Sequence, residues 1–294
     1  MNDPQDTDWI CIASGPREAL MEASLVLTAV YIEHHIEAHE NGFGLLVPTN
    51  LAMRATSELQ SYDHENRLIP TPVPSLFTID SGWIGVLGYL LVLWMLPWLE
   101  SNWALAWREA GNMHAGLVRD GEWWRCVTAL TLHADLGHII ANSAFGAVFG
   151  LFVGRYLGSG FGWLLVLISG ALGNGLNAWV QPDEFRSIGA STATFAALGL
   201  GATYVWRRGY FRGRGWRRGM APVFAAIALL VYTGVGGENT DVVAHFMGFA
   251  AGVALAVLAA TFDVRRLGVS GQYLAGLSAV GLLLFSWQLA LGTG

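Results

Sequence analysis

Four polar side chains interrupt apolar runs in this sequence: His138, Asn142, Ser191 and His245. Lipid makes such groups costly, so each marks function unless packing or snorkelling explains it. Ser191 lies in Gly189-Ala-Ser-Thr-Ala193, at the head of an apolar run near 190–206. Unpaired backbone N–H groups and the positive helix end favour an oxyanion there; the plainer reading is a cap or a small packing residue. His138 and Asn142, four apart, share one face of a helix and can both donate to a developing negative charge. Their plainer reading is interhelical hydrogen bonding, worth ~0.6 kcal/mol per bond. His245 opens Ala244-His-Phe-Met-Gly248-Phe-Ala-Ala-Gly252, where Gly248 and Gly252 follow on the histidine's face and admit a neighbouring helix. Gly199 offers a matching small surface below Ser191, and packing there would bring the His245 imidazole toward the hydroxyl. A serine attacks only when a base takes its proton, and an imidazole with a pKa near 6.5 can do so at neutral pH. Asp241, one turn before His245, could orient the ring but reads more simply as a loop or N-cap residue. The pattern is a Ser-His dyad. His133 would lie about 140° around a helix from His138, so the two do not converge on a metal if both are helical. Pairing of either with His245 stays open.

The elements that must position these groups are membrane helices. The chain has 294 residues, of which 53% are hydrophobic and 13% charged, against about 25% charged in an average soluble domain. A net charge of -6 offers no broad positive field, which argues against nucleic acid as a partner. Two cysteines, Cys11 and Cys126, cannot build a disulfide framework or a four-ligand zinc site. Apolar runs at about 82–99, 136–157, 161–180, 190–206, 221–236, 242–262 and 271–291 approach the ~20 residues a bilayer crossing needs, the fourth and fifth only marginally. The reading is seven crossings. Arg207, Arg208, Arg212, Arg214, Arg217 and Arg218 follow the fourth run and Arg265 and Arg266 the sixth, so the positive-inside rule places those loops in the cytoplasm. Arg155 agrees, and the C-terminus then falls outside. The loop near 100–135 is outside too, and Trp103, Trp107, Trp123 and Trp124 favour its lying partly in the outer leaflet.

Residues 1–70 read as a small cytosolic α+β domain and 71–81 as part of a proline-rich linker that includes Ile69-Pro-Thr-Pro-Val-Pro-Ser75; the membrane domain is 82–294. Strand-like residues at 9–13, a helix from Pro16 to about Tyr31, a strand pair near 32–47 and a helix from about Thr49 make up the small domain. Glu33, His35, Glu37 and His39 alternate and could hold a metal, although without a further ligand set they read as a solvated strand face. No cleavable signal peptide is visible at the acidic N-terminus.

With Trp124-Arg125 in the outer loop, His138-x-x-x-Asn142, Gly189-x-Ser191 and Ala244-His245-x-x-Gly248-x-x-x-Gly252, the chain resembles the rhomboid family of intramembrane serine proteases over roughly residues 82–265. The resemblance implies an all-α polytopic protein with a six-helix core plus one C-terminal helix. It implies Ser191 as nucleophile, His245 as base, and His138, Asn142 and the Ser191 N–H as the oxyanion hole. Trp124 and Arg125 would brace the outer loop. The family's usual glycine after the serine is Thr192 here, whose bulk is expected to narrow the substrate pocket and alter side-chain preference. The implied substrates are single-pass membrane proteins entering from the lipid bilayer, with segment five and the loop 236–240 as gate and cap, in a bacterial inner membrane; no metal or organic cofactor is required. The alternatives are a non-catalytic rhomboid-like binder of transmembrane helices and a haem or metal membrane protein.

Overall fold

The computed structural model describes residues 8–39, 42–66, 77–209, 220–234 and 240–292. Two compact units divide the chain, Met1–Pro72 and Val73–Gly294. The linker residues 69–75, the arginines at 212, 214, 217 and 218, and loop residues 236–239 lie outside the described residues.

In the first unit β1 (Trp9–Gly15), α1 (Arg17–Ala29), β2 (His35–His39), β3 (Gly42–Pro48) and α2 (Ala52–Asn66) follow in order. The sheet is antiparallel with order β1-β3-β2. Pro16 stands at the N-cap of α1, where its fixed φ suits a helix start. Leu20 and Leu27, two turns apart on α1, are buried in one cluster with Leu45 and Val47 of β3. Glu33 precedes β2 and so does not share its register, and the His35 ring stands edge-on to Trp9 at 4.4 Å.

The second unit begins with α3 (Trp83–Asn102), continues through α4 (Trp107–Gly111), β4 (Met113–His114), α5 (Ala115–Arg119) and α6 (Arg125–Thr128), and then enters α7 (Leu136–Leu157) and α8 (Ser159–Val180). After β5 (Arg186–Ser187) come α9 (Ser191–Arg207), α10 (Ala221–Gly234), α11 (Val242–Ala259) and α12 (Gly268–Gly292). α3, α7, α8, α11 and the run ending in α12 are long and apolar enough to cross a membrane. α9 has 17 residues and α10 has 14. The shortness of α9 has a physical reason: every residue from Thr192 to Leu200 is buried, so protein rather than lipid surrounds it.

Small residues let these helices close on α9. A Cβ on Gly252 would strike the Ala196 carbonyl, one on Gly199 the Phe249 carbonyl, and one on Gly170 would lie 2.9 Å from the Ala193 Cβ. α12 is latched to the opposite end of the bundle by Gln272. Its Oε1 accepts from the N–H groups of Gly160 (3.1 Å) and Phe161 (2.9 Å), and its Nε2 donates to the Leu157 carbonyl (3.0 Å). The first N–H groups of α8 have no partner within their own helix, so this side chain caps α8 from another segment. Gln272→Ala is expected to cost roughly 2–4 kcal/mol, the net worth of three such bonds, read as a lower thermal midpoint of the detergent-solubilised protein.

Candidate active site

Residues 103–135 brace the end of the bundle where α7, α9 and α11 begin. Arg125 is buried, pairs with Glu122, and donates to the carbonyls of Glu109 (3.0 Å) and Asn112 (3.1 Å). Trp124 packs beside the cluster of Trp107, Leu132 and Trp287. Trp107 is therefore core, edge-on to Trp287 at 5.3 Å, while Trp103 and Trp123 are the exposed indoles. Arg119 donates to the Ala178 and Gln181 carbonyls and pairs with Asp183, closing the end of α8. β4 pairs with β5, and the Gly189 N–H donates to the Ala129 carbonyl at 2.9 Å, which fixes the chain just before Ser191.

Ser191 is the first residue of α9, yet it does not cap the helix: Ala190 holds that position and no side chain closes it. The first-turn N–H groups thus remain available beside the hydroxyl. Gly189 has φ +140, a backbone favoured by glycine, and a Cβ there would lie 2.7 Å from His138 Cε1, 2.8 Å from its Nε2 and 3.5 Å from Ser191 Oγ. The imidazole and the hydroxyl therefore flank one point, which a side chain at 189 would fill. Asp135 accepts the His138 N–H at 2.8 Å and so starts α7 at Leu136. One turn on, Asn142 is buried, and its amide nitrogen has no acceptor among the described residues, as suits a donor waiting for an anion. Its backbone carbonyl accepts from Tyr89 at 2.8 Å.

His245 is buried near the start of α11, its ring 4.5 Å from that of Phe195, which lies one turn beyond Ser191. Asp241 caps α11: one oxygen accepts the Ala244 N–H (3.0 Å) and the other the Asn177 amide (2.6 Å). The carboxylate thus joins α11 to the end of α8. Gly248 sits where three helices meet, its Cα 2.6 Å from a Cβ built on Gly173 and its own Cβ position blocked by the Thr192 carbonyl. Thr192 is buried, and its methyl is 2.9 Å from the Cβ positions of both glycines. Its methyl is directed into the helix junction, contrary to the expected narrowing of a pocket beside the serine, because α8 and α11 each present a glycine there. An apolar cavity of about 450 Å³ adjoins His245 between α10 and α11, lined by Leu230, Val231, Phe246 and Phe249.

His133 is not part of a helix, so the condition under which the two histidines would point apart is not met. It precedes α7, and its ring stands edge-on to His138 at 5.2 Å. Burial pushes its pKa down to about 4, with the neighbouring His138 adding to the shift. The unfolded chain, with pKa near 6.5, binds this proton first, so stability is complete above pH ~6.5 and falls as pH drops toward ~4. The stability lost over that range is on the order of 3 kcal/mol. The thermal midpoint should fall across that window, and His133→Gln should flatten the slope. Asn177, Tyr89 and Phe195 are neighbours of the site that the sequence analysis does not name, although Asn174 and Asn177 are visible as amides in an apolar run. Among the described residues no group of three or more His, Cys, Asp or Glu side chains is placed to hold a metal.

Comparison with known proteins finds relatives for the helical part of the chain. Residues 120–262 match the family model described as Rhomboid domain. YdcA of Bacillus subtilis (strain 168), provisionally named a rhomboid protease, is 28% identical over 181 residues, 62% of this chain and 89% of that one. Rhomboid-like protease 3 of Toxoplasma gondii is 31% identical over 148 residues, 49% of this chain and 55% of its own. Rhomboid protease GluP of Bacillus subtilis (strain 168) is 35% identical over 89 residues, 30% of this chain and 17% of its own. The chain thus spans most of the first relative and about half or less of the other two.

Proposed function

Because the chain is a member of the rhomboid family through residues 120–262, we propose that it is an intramembrane serine endopeptidase cutting in or next to the transmembrane segments of single-pass membrane proteins. Ser191 is the nucleophile and His245 the general base. His138, Asn142 and the Ser191 N–H form the oxyanion hole; Trp124, Arg125, Gly189, Gly248 and Gly252 hold the frame. The observation that carries the assignment is the convergence of the Ser191 hydroxyl and the His138 imidazole on the space at Gly189. That space, at the head of α9, is where a carbonyl oxygen could meet donors.

A helical substrate hides its peptide bonds, so it must unwind before Ser191 can reach a carbonyl, and Gly or Pro near the cut favours this. His245 takes the hydroxyl proton as Oγ attacks, and the tetrahedral oxyanion accepts from the donors. Proton return to the leaving amine frees one product; water then enters the site, loses a proton to His245 and releases the acyl group. Seven crossings, counting α9 and α10, place the arginine-rich ends in the cytoplasm and the C-terminus outside. α10 and the loop after it serve as the lateral gate, and the cavity beside His245 takes apolar substrate side chains. The localisation is a bacterial inner membrane. The test is cleavage of a single-pass reporter in liposomes: product from the parent that disappears with Ser191→Ala supports the reading. Equal cleavage by both overturns it, and no cleavage by either across Gly-rich reporters favours a non-catalytic helix binder.

A further inference from the structure

A second cavity, of about 760 Å³, lies between α3 and α12 with α8 and α9 as its floor, and one end of it reaches Ala190, next to Ser191. Ile84, Gly88 and Leu93 form one wall and Val269, Leu277 and Leu283 the other, while Ala193 and Ala197 of α9 lie beneath. The outer faces of both walls are apolar and exposed: Leu87 is 63% accessible, Leu91 69% and Leu274 68%. Gly88 leaves open space, since a Cβ there meets nothing within 4 Å. From Val269 to Leu283 the wall runs roughly 20 Å at ~1.5 Å per residue, somewhat more than the ~15 Å that half a hydrocarbon core provides. The groove therefore has the length of an acyl chain within one leaflet. An apolar cavity does not hold water, and the bilayer supplies hydrocarbon.

One end of the groove is charged. Arg265 lines it, with its guanidinium carbon 5.2 Å from the Phe77 ring centroid. Arg155, Arg207, Arg208 and Arg266 belong to the same end of the bundle, where α7, α9 and α11 finish. Among the described residues the carboxylates there are Asp80, which accepts from Gly82 and Ser159, and Asp263, which pairs with Arg265 and, at 4.0 Å, with Arg208. Among the described residues, five cations against two engaged carboxylates leave a positive excess where a lipid phosphate would lie.

We infer that the groove between α3 and α12 binds an anionic glycerophospholipid, one acyl chain lying on α9 and the phosphate at Arg265 and Arg266. The inference stands apart from the protease reading, because its readout is bound lipid. Full-length protein in a mild detergent, titrated with dipalmitoyl phosphatidylglycerol, should retain one lipid by native mass spectrometry. Dipalmitoylglycerol, with the same chains and no phosphate, should bind about tenfold or more weakly. Arg265→Gln with Arg266→Gln should remove that difference. Gly88→Leu, and independently Leu277→Trp from the facing wall, should lose the retained lipid at unchanged thermal midpoint without lipid. Two variants guard against one failing to fold. Equal retention by parent and both filled variants, or equal binding of the phosphate-free lipid, overturns the inference. So does a parent dimer that Gly88→Leu splits, which would make the groove a seam between copies.

Discussion

Ser191→Ala is expected to abolish reporter cleavage, by on the order of 10⁴–10⁶-fold, with little change in thermal midpoint. The hydroxyl caps nothing and the residue is only half-buried, so its removal leaves no core cavity and no orphaned partner. His245→Ala should lose a similar factor, and the double variant no more than either alone, because the proposed nucleophile and base would act as one unit. A serine-directed fluorophosphonate should label the parent and not Ser191→Ala, which separates loss of chemistry from loss of substrate access. If the double variant is much slower than each single one, the residues do not act together and the dyad is wrong.

Gly248→Val should have an equally large effect by a different route. A Cβ at 248 meets the Thr192 carbonyl, and Gly173 closes the other side at backbone distance. Backbone cannot rotate aside as a side chain can, so α8, α9 and α11 must separate. Ordinary overpacking costs about 1–3 kcal/mol; here the cost should exceed that range, because the helices that part are those carrying Ser191 and His245. The expected result is a protein that aggregates or melts well below the parent, inactive even where recovered. Gly88→Ala, placed in open space, is the matched control and should melt as the parent does. Thr192→Gly tests the same junction from the other direction: it should destabilise by removing the methyl that fills it, rather than widen a pocket beside the serine.

The helices were legible because each writes its own signal. α7 falls at 136–157 as read, since an uninterrupted apolar run has one stable form in lipid. α12 begins at Gly268, three residues before the apolar run at 271, because Asp263 caps a 3-10 turn at Val264–Leu267 that leads into it and Gln272 reaches across to α8, and neither contact is visible along one helix. α9 was marginal as a span, because a helix wrapped in protein has no need of a lipid-facing surface. Serine, histidine and asparagine in apolar runs stood out by the cost of placing them there.

What the sequence determined by itself was therefore residue type and depth: which polar groups lie at the heads of α7, α9 and α11, and which faces carry glycine. Direction and partnership were decided only by the tertiary structure. Asp241 turned out to bind Asn177 and the start of α11; His133 stands against His138 because a cap begins α7 after it; the Thr192 methyl lies between two glycines rather than beside the serine. The physical reason is common to all three. Periodicity places a side chain on a face of its own helix, but what it meets depends on how closely other helices approach, and that is set by side chains far away in the chain.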